Sequence, residues 1–120
     1  MKTILTVDDS ATIRQMTSLV LKGAGYEVIE AVDAKDAISK LDGREVHLVL
    51  TDINMPEMDG IEFTRQLRAK PEYQFVPVIM LTTESQMEKK QQGKAAGATG
   101  WIVKPFNQDQ LLAVVRKVMR

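Results

Sequence analysis

Four short apolar runs in this chain each lead into residues that handle cations or phosphate. Thr3-Ile4-Leu5-Thr6-Val7 runs into Asp8-Asp9, Leu48-Val49-Leu50-Thr51 into Asp52, Val78-Ile79-Met80-Leu81 into Thr82, and Trp101-Ile102-Val103 into Lys104. If the runs are parallel strands of one sheet, their carboxyl ends share the edge at which open α/β sheets bind ligands. Three carboxylates, a hydroxyl and an ammonium then converge. Two unit charges about 5 Å apart repel by roughly 3 kcal/mol at an effective dielectric of ~20, so Asp8, Asp9 and Asp52 call for a counter-ion. Oxygen-only ligands in an incomplete cage suit Mg²⁺, which keeps several waters and accepts a phosphate oxygen; Mn²⁺ can substitute. With the cation in place, Asp52 is a candidate nucleophile towards phosphorus, because carboxylates form aspartyl phosphates. Lys104 and Thr82 are the candidate contacts to phosphoryl oxygens, by charge pairing and by hydroxyl donation.

Those residues need a scaffold, and the chain alternates strand-like runs with helix-like stretches, the pattern of a parallel sheet covered by helices on both faces. After the first strand, Ile13, Met16, Leu19 and Val20 predict one buried helical face, ended by Gly23-Ala24-Gly25. A strand over 26–31 follows, then a short helix capped by Asp33 with Ala37, Ile38 and Leu41 inward. The run from Val46 to Leu50 reads as a central strand buried on both faces, interrupted by His47, which is read as structural or neutral in function rather than catalytic. Residues 53–60 form a loop dense in turn formers, in which Met55 and Met58 are packing residues and Asp59-Gly60 starts a helix carrying Ile61, Phe63, Thr64 and Leu67. A mostly polar helix is predicted over 83–96, with Met87, Ala95 and Ala96 as its main apolar contacts and Gly93 weakening its interior. Asn107 with Gln110 in capping-box spacing opens the last helix, whose Leu111, Leu112, Val115 and Val118 face the core.

A length of 120 residues with 44% hydrophobic content suits one domain, 1–120, with a single core. Sixteen basic residues balance sixteen acidic ones, so the chain lacks the broad basic surface of a nucleic-acid binder. The absence of cysteine excludes disulfides and thiolate chemistry. No stretch is long enough to span a membrane, and no signal-peptide pattern follows Met1-Lys2. The expectation is a cytoplasmic, monomeric protein with no nucleic-acid or membrane partner.

Five motifs in order carry a family likeness: Val7-Asp8-Asp9-Ser10; Asp52-Ile53-Asn54-Met55-Pro56-Glu57-Met58-Asp59-Gly60; Leu81-Thr82-Thr83-Glu84; Gly97-Ala98-Thr99-Gly100-Trp101; and Val103-Lys104-Pro105-Phe106. Together they resemble, over the whole chain, the receiver domain of two-component response regulators, closely the stand-alone chemotaxis type. The resemblance implies a doubly wound, flavodoxin-like sheet of five parallel strands in the order 2-1-3-4-5, with five helices. It further implies phosphorylation at Asp52 by a phosphohistidine of a sensor histidine kinase or by a small phosphodonor, with Lys104 and Thr82 touching the phosphoryl group. Mg²⁺ would be held by Asp9, Asp52 and the backbone carbonyl of Asn54, with Asp8 acting through water. Asn54 and Glu84 would tune phosphoryl lifetime, and Pro105 would follow a cis bond. Thr82 moving inward would let the aromatic residue at Trp101, a Tyr in the familiar chemotaxis pattern, turn inward and alter the face of the fourth helix, fifth strand and fifth helix. Such a protein catalyses only its own phosphorylation and dephosphorylation. Its expected output, with no further domain attached, is contact with a flagellar motor switch protein or a phosphatase; a phosphorelay intermediate or phosphate sink is the alternative.

Other classes fit the residues less well. An aspartyl-phosphate hydrolase would carry a second acid two positions after the nucleophile, where this chain has Asn54. A flavin- or nucleotide-binding module would offer a phosphate-cradling loop after the first strand, whereas Asp8-Asp9-Ser10 repels phosphate unless a metal intervenes. Taken singly, Asp9 and Ser10 could merely cap a helix, Lys104 be a surface lysine and Thr82 a strand-end hydroxyl. Their shared placement at one edge argues for more.

Overall fold

The computed structural model describes residues 1–119. Five strands, β1 (Thr3–Val7), β2 (Glu27–Ala31), β3 (Leu48–Asp52), β4 (Val78–Thr82) and β5 (Gly100–Val103), form one parallel sheet in the order β2-β1-β3-β4-β5. Five α-helices, α1 (Ala11–Gly23), α2 (Ala34–Leu41), α3 (Gly60–Arg68), α4 (Lys90–Ala96) and α5 (Gln108–Val118), alternate with them. The doubly wound architecture and strand order are those expected. β3 and β4 are buried at every position, as central strands covered on both faces must be.

Strand alternation divides the core. Leu5, Val7, Val49 and Val78 pack on one face against Ala37 and Leu41 of α2 and Phe63 and Leu67 of α3, with Met55 and Met58 against the same cluster. Ile4, Leu48, Leu50, Ile79 and Ile102 pack on the other against Leu21 of α1 and Leu111, Leu112 and Val115 of α5. A third cluster, Ile53, Ile61, Met80 and Ala96 with Trp101 and Ala98 against it, lies under α4.

Helix starts follow the side chains that can satisfy free N–H groups. Ser10 Oγ accepts from Ile13 N at 3.3 Å, Asp33 Oδ1 from Asp36 N at 2.8 Å and Asp59 Oδ1 from Glu62 N at 2.8 Å. Asn107 and Gln110 exchange both capping-box bonds, at 2.8 and 2.9 Å.

Two helical expectations need correction. The buried face of α1 is Thr17, Ser18 and Leu21, while Met16 and Leu19 are 43% and 74% exposed. The Ser10 cap and the bond from Arg14 to the Asp8 carbonyl set the rotation of the helix, and that rotation turns two hydroxyls inward where periodicity looked for large apolar groups. The predicted 83–96 helix is a 3-10 segment over Glu84–Lys89 followed by the seven-residue α4. Within α4, Ala95 is exposed, and Gly93 is buried against Met80 and Trp101, so closely that a Cβ there would approach Met80 Sδ to 3.1 Å. Two strand boundaries also move: Tyr26 precedes β2, and Val46 and His47 precede β3, which instead extends to Asp52.

Candidate functional site

The register places the reactive side chains before any of them interacts. Val7 pairs with Thr51, Asp52 with Leu81, and Thr82 with Val103, so Asp8, Asp52, Thr82 and Lys104 emerge at one edge of the sheet. Ligand oxygens of Asp8, Asp9 and Asp52 lie within 4.8 Å of one another. Lys104 Nζ sits 3.3 Å from Asp8 Oδ2 and 3.3 Å from Asp52 Oδ1, bridging two carboxylates that are themselves buried. Asp9 is exposed at the mouth.

The backbone holds this arrangement from several sides. Asp8 Oδ1 accepts from Ser10 N at 2.9 Å, and its carbonyl accepts from Arg14 at 2.7 Å, while Arg14 Nε lies 3.4 Å from Glu30 on β2. Lys104 N donates to Thr82 O at 2.6 Å, tying the end of β5 to that of β4, and the Lys104–Pro105 peptide is cis. Beneath Asp52, Gly60 N donates to Ile53 O at 2.8 Å, and a Cβ on Gly60 would lie 2.3 Å from Asp52 O. Only glycine permits α3 to begin so close to Asp52. Arg14 and Gly60 are supporting residues: Gly60 lies at the helix start expected of Asp59-Gly60, whereas no motif in the sequence singled out Arg14.

Charge on the edge is incompletely balanced, with one ammonium facing three carboxylates. Burial raises the Asp52 carboxyl above its ordinary range; Lys104 opposes that rise, and Asp8 and Asp9 reinforce it. An oxygen-only donor set with surplus negative charge fits a hard divalent cation, and Asp8, Asp9 and Asp52 are the residues that could hold one.

The remaining expected residues occupy different surroundings. Thr82 is 1% exposed, and its hydroxyl donates to Thr83 O at 3.1 Å. Asn54 and Glu84 are exposed beside the edge, in the loop after β3 and at the start of the 3-10 segment. Trp101 packs against the cluster under α4, its ring 5.2 Å from Lys90 Nζ and its Nε1 buried without a hydrogen-bond partner among the described residues. His47 is remote from the site, its Nδ1 accepting from Thr3 N at 3.0 Å at the opposite end of β1, the structural role expected of it.

The sequence model of the response regulator receiver domain matches residues 4–116. The chain belongs to that family. A crystal structure of the Vibrio cholerae chemotaxis protein CheY4 superposes on this receiver with a TM-score of 0.94, at 49% identity over 98% of both chains. The phosphate regulon transcriptional regulatory protein PhoB of Pseudomonas aeruginosa is 40% identical over 99% of this chain. This receiver spans about half (52%) of that protein's length. Protein PilG of the same organism is 31% identical, the match covering 94% of this chain and 84% of PilG. Among the described residues, no helix is long and apolar enough to cross a membrane.

Proposed function

We propose that this receiver is a phosphorylation-activated switch of a two-component pathway, with Asp52 as phosphoacceptor and a phosphohistidine of a sensor histidine kinase as donor. The observation that carries the reading is Lys104 Nζ at 3.3 Å from both Asp8 and Asp52 inside the three-carboxylate cluster. Lys104 favours the ionised, nucleophilic form of Asp52 against the effect of burial. An Asp52 oxygen bonds to phosphorus as the bond from phosphorus to the donor nitrogen breaks, and the electron pair of that bond returns to the imidazole. Mg²⁺, held by Asp9, Asp52 and the Asn54 carbonyl with Asp8 through water, would supply neutralisation of charge on the transferring group. Lys104 then pairs with one phosphoryl oxygen and the Thr82 hydroxyl donates to another. Charge-assisted hydrogen bonds contribute about 1.5–3 kcal/mol each, so two of them supply most of the roughly 5.5 kcal/mol that a near-complete population shift requires. Asn54 and Glu84, both exposed, tune the phosphoryl lifetime on this reading by governing the approach of the hydrolytic water.

The 49% identity to CheY4 over nearly the full length of both chains supports a chemotaxis output by protein contact, with a flagellar motor switch protein or a phosphatase as partner. The likeness to PhoB supports the same phosphoryl chemistry coupled to another output. On this reading the protein is cytoplasmic and monomeric, one domain over 1–120, and turns over no substrate other than its own phosphoryl group. Labelling with acetyl phosphate in Mg²⁺ tests it: the wild type takes up about one phosphoryl group per chain and Asp52→Asn takes up almost none. Equal labelling of the two proteins would sink the assignment.

A further inference from the structure

Thr82 is committed elsewhere in this structure. Its hydroxyl donates to Thr83 O at 3.1 Å and lies 3.5 Å from Gln86 Oε1. Gln86 in turn grips Thr83 from both sides, its Oε1 accepting from Thr83 N at 3.0 Å and its own N donating to Thr83 O at 3.0 Å. The carbonyl that receives the Thr82 proton is thus held in place by Gln86, and the Gln86 side chain stands beside the same hydroxyl. A threonine hydroxyl has one proton to donate, so it cannot serve Thr83 O and a phosphoryl oxygen on Asp52 together. At 1% exposure Thr82 has almost no access to water, and these acceptors define its resting state.

We propose that Gln86 is a positioning residue that latches Thr82 in the unphosphorylated state and couples its release to the segment leading into α4. The proposal rests on the receiver reading of Asp52. The segment Glu84–Lys89 buries no residue and is 3-10, with the weaker hydrogen-bond geometry of that helix. Besides the grip on Thr83, its first turn is fastened by the Ser85 hydroxyl, 2.8 Å from that of Thr83. When Thr82 turns to a phosphoryl group, the hydroxyl leaves Thr83 O and the neighbourhood of Gln86 together, and the first turn of 84–89 loses a stabilising contact. The phosphoryl state of Asp52 thereby reaches the polar surface that begins at Glu84, independently of any movement of Trp101.

The test is a double-mutant cycle read by calorimetric titration with beryllofluoride, a phosphoryl mimic, at saturating Mg²⁺. Gln86→Leu removes, at similar volume, the Oε1 that accepts from Thr83 N and stands beside the Thr82 hydroxyl, and binds beryllofluoride about three- to tenfold more tightly than wild type, with Mg²⁺ affinity unchanged. Gln86→Ala moves affinity in the same direction without the bulk of Leu. In a Thr82→Val background the same Gln86 substitutions change nothing, an outcome that general loosening of 84–89 would not give. Equal affinity in wild type and Gln86→Leu, or an undiminished gain in the Thr82→Val background, overturns the latch while leaving the receiver reading intact. A wild type that binds Mg²⁺ but not beryllofluoride overturns both.

Discussion

Asp52 and Asp36 are both carboxylates, and their surroundings push them in opposite directions. Burial raises Asp52, with Asp8 and Asp9 adding to the effect, whereas the Val32 N–H, at 3.0 Å, together with Lys40, at 3.2 Å, lowers Asp36. A carboxyl that binds its proton more tightly folded than unfolded makes stability fall with rising pH, from the unfolded carboxylate value of about 4 up through the raised folded one. The lowered Asp36 does the reverse: its contribution is present above about pH 4 and is lost as pH falls through the depressed folded value. In EDTA, Asp52→Asn is therefore expected to flatten the decline above pH 4 and to stabilise the protein at pH 7 by on the order of 1 kcal/mol, read from the denaturant midpoint. Asp36→Asn is expected to leave that decline intact and to reduce the loss of stability on acidification. A wild type whose metal-free stability rises steadily from pH 4 to 7 would contradict the reading of Asp52. The proposed phosphoacceptor thus works against the fold unless something neutralises it.

Elements whose residues carry both propensity and pattern were legible in the sequence. β4 announced itself as an apolar run, β3 as an apolar run interrupted by His47, and α5 as a capping box followed by a regular apolar stripe. The converging strand ends also made Asp8, Asp9, Asp52, Thr82 and Lys104 readable as a set, because register in a parallel sheet converts sequence order into an edge. The inner face of α1 was hidden because it is built from Thr17 and Ser18, whose hydroxyls look like solvent-facing residues. The split of 83–96 was hidden for a different reason: Thr83 and Gln86 form a capping box that opens the segment, but its first six residues take the tighter 3-10 form, which helix propensity does not distinguish from an α-helix. Gly60 shows how an element can serve the site from below. Gly60→Ala forces its Cβ against the Asp52 carbonyl, at 2.3 Å before any adjustment, and α3 or the end of β3 must move. The expected cost is about 2–4 kcal/mol in chemical denaturation, with slower acetyl phosphate labelling of the fraction that remains folded. Unchanged stability would mean that α3 can withdraw without strain.

Across the whole molecule, the two ends of the sheet have opposite characters. At the amino ends of the strands, long-range bonds tie the fold together: Lys2 Nζ to Met119 O at 2.7 Å, Thr3 N to His47 Nδ1 at 3.0 Å, Val78 N to Thr99 Oγ1 at 3.1 Å and the Tyr73 hydroxyl to Arg44 O at 2.9 Å. At the carboxyl ends, three acidic side chains cluster and one lysine bridges two of them. Cohesion at one end allows the other to carry repulsion that a ligand can relieve. A ligand that binds only the folded state stabilises it by mass action, so Mg²⁺ at ten times its dissociation constant adds about 1.4 kcal/mol, or roughly 5 °C in melting temperature for a domain of this size. Asp9→Asn removes a proposed metal ligand and one repelling charge together. It is expected to melt above wild type in EDTA, yet to lose most of the Mg²⁺-dependent rise, so that the two melting curves approach or cross as Mg²⁺ is added. A wild type whose melting temperature ignores Mg²⁺ would show that the carboxylates are balanced by the protein alone, and the acidic edge would then have no claim to a cation.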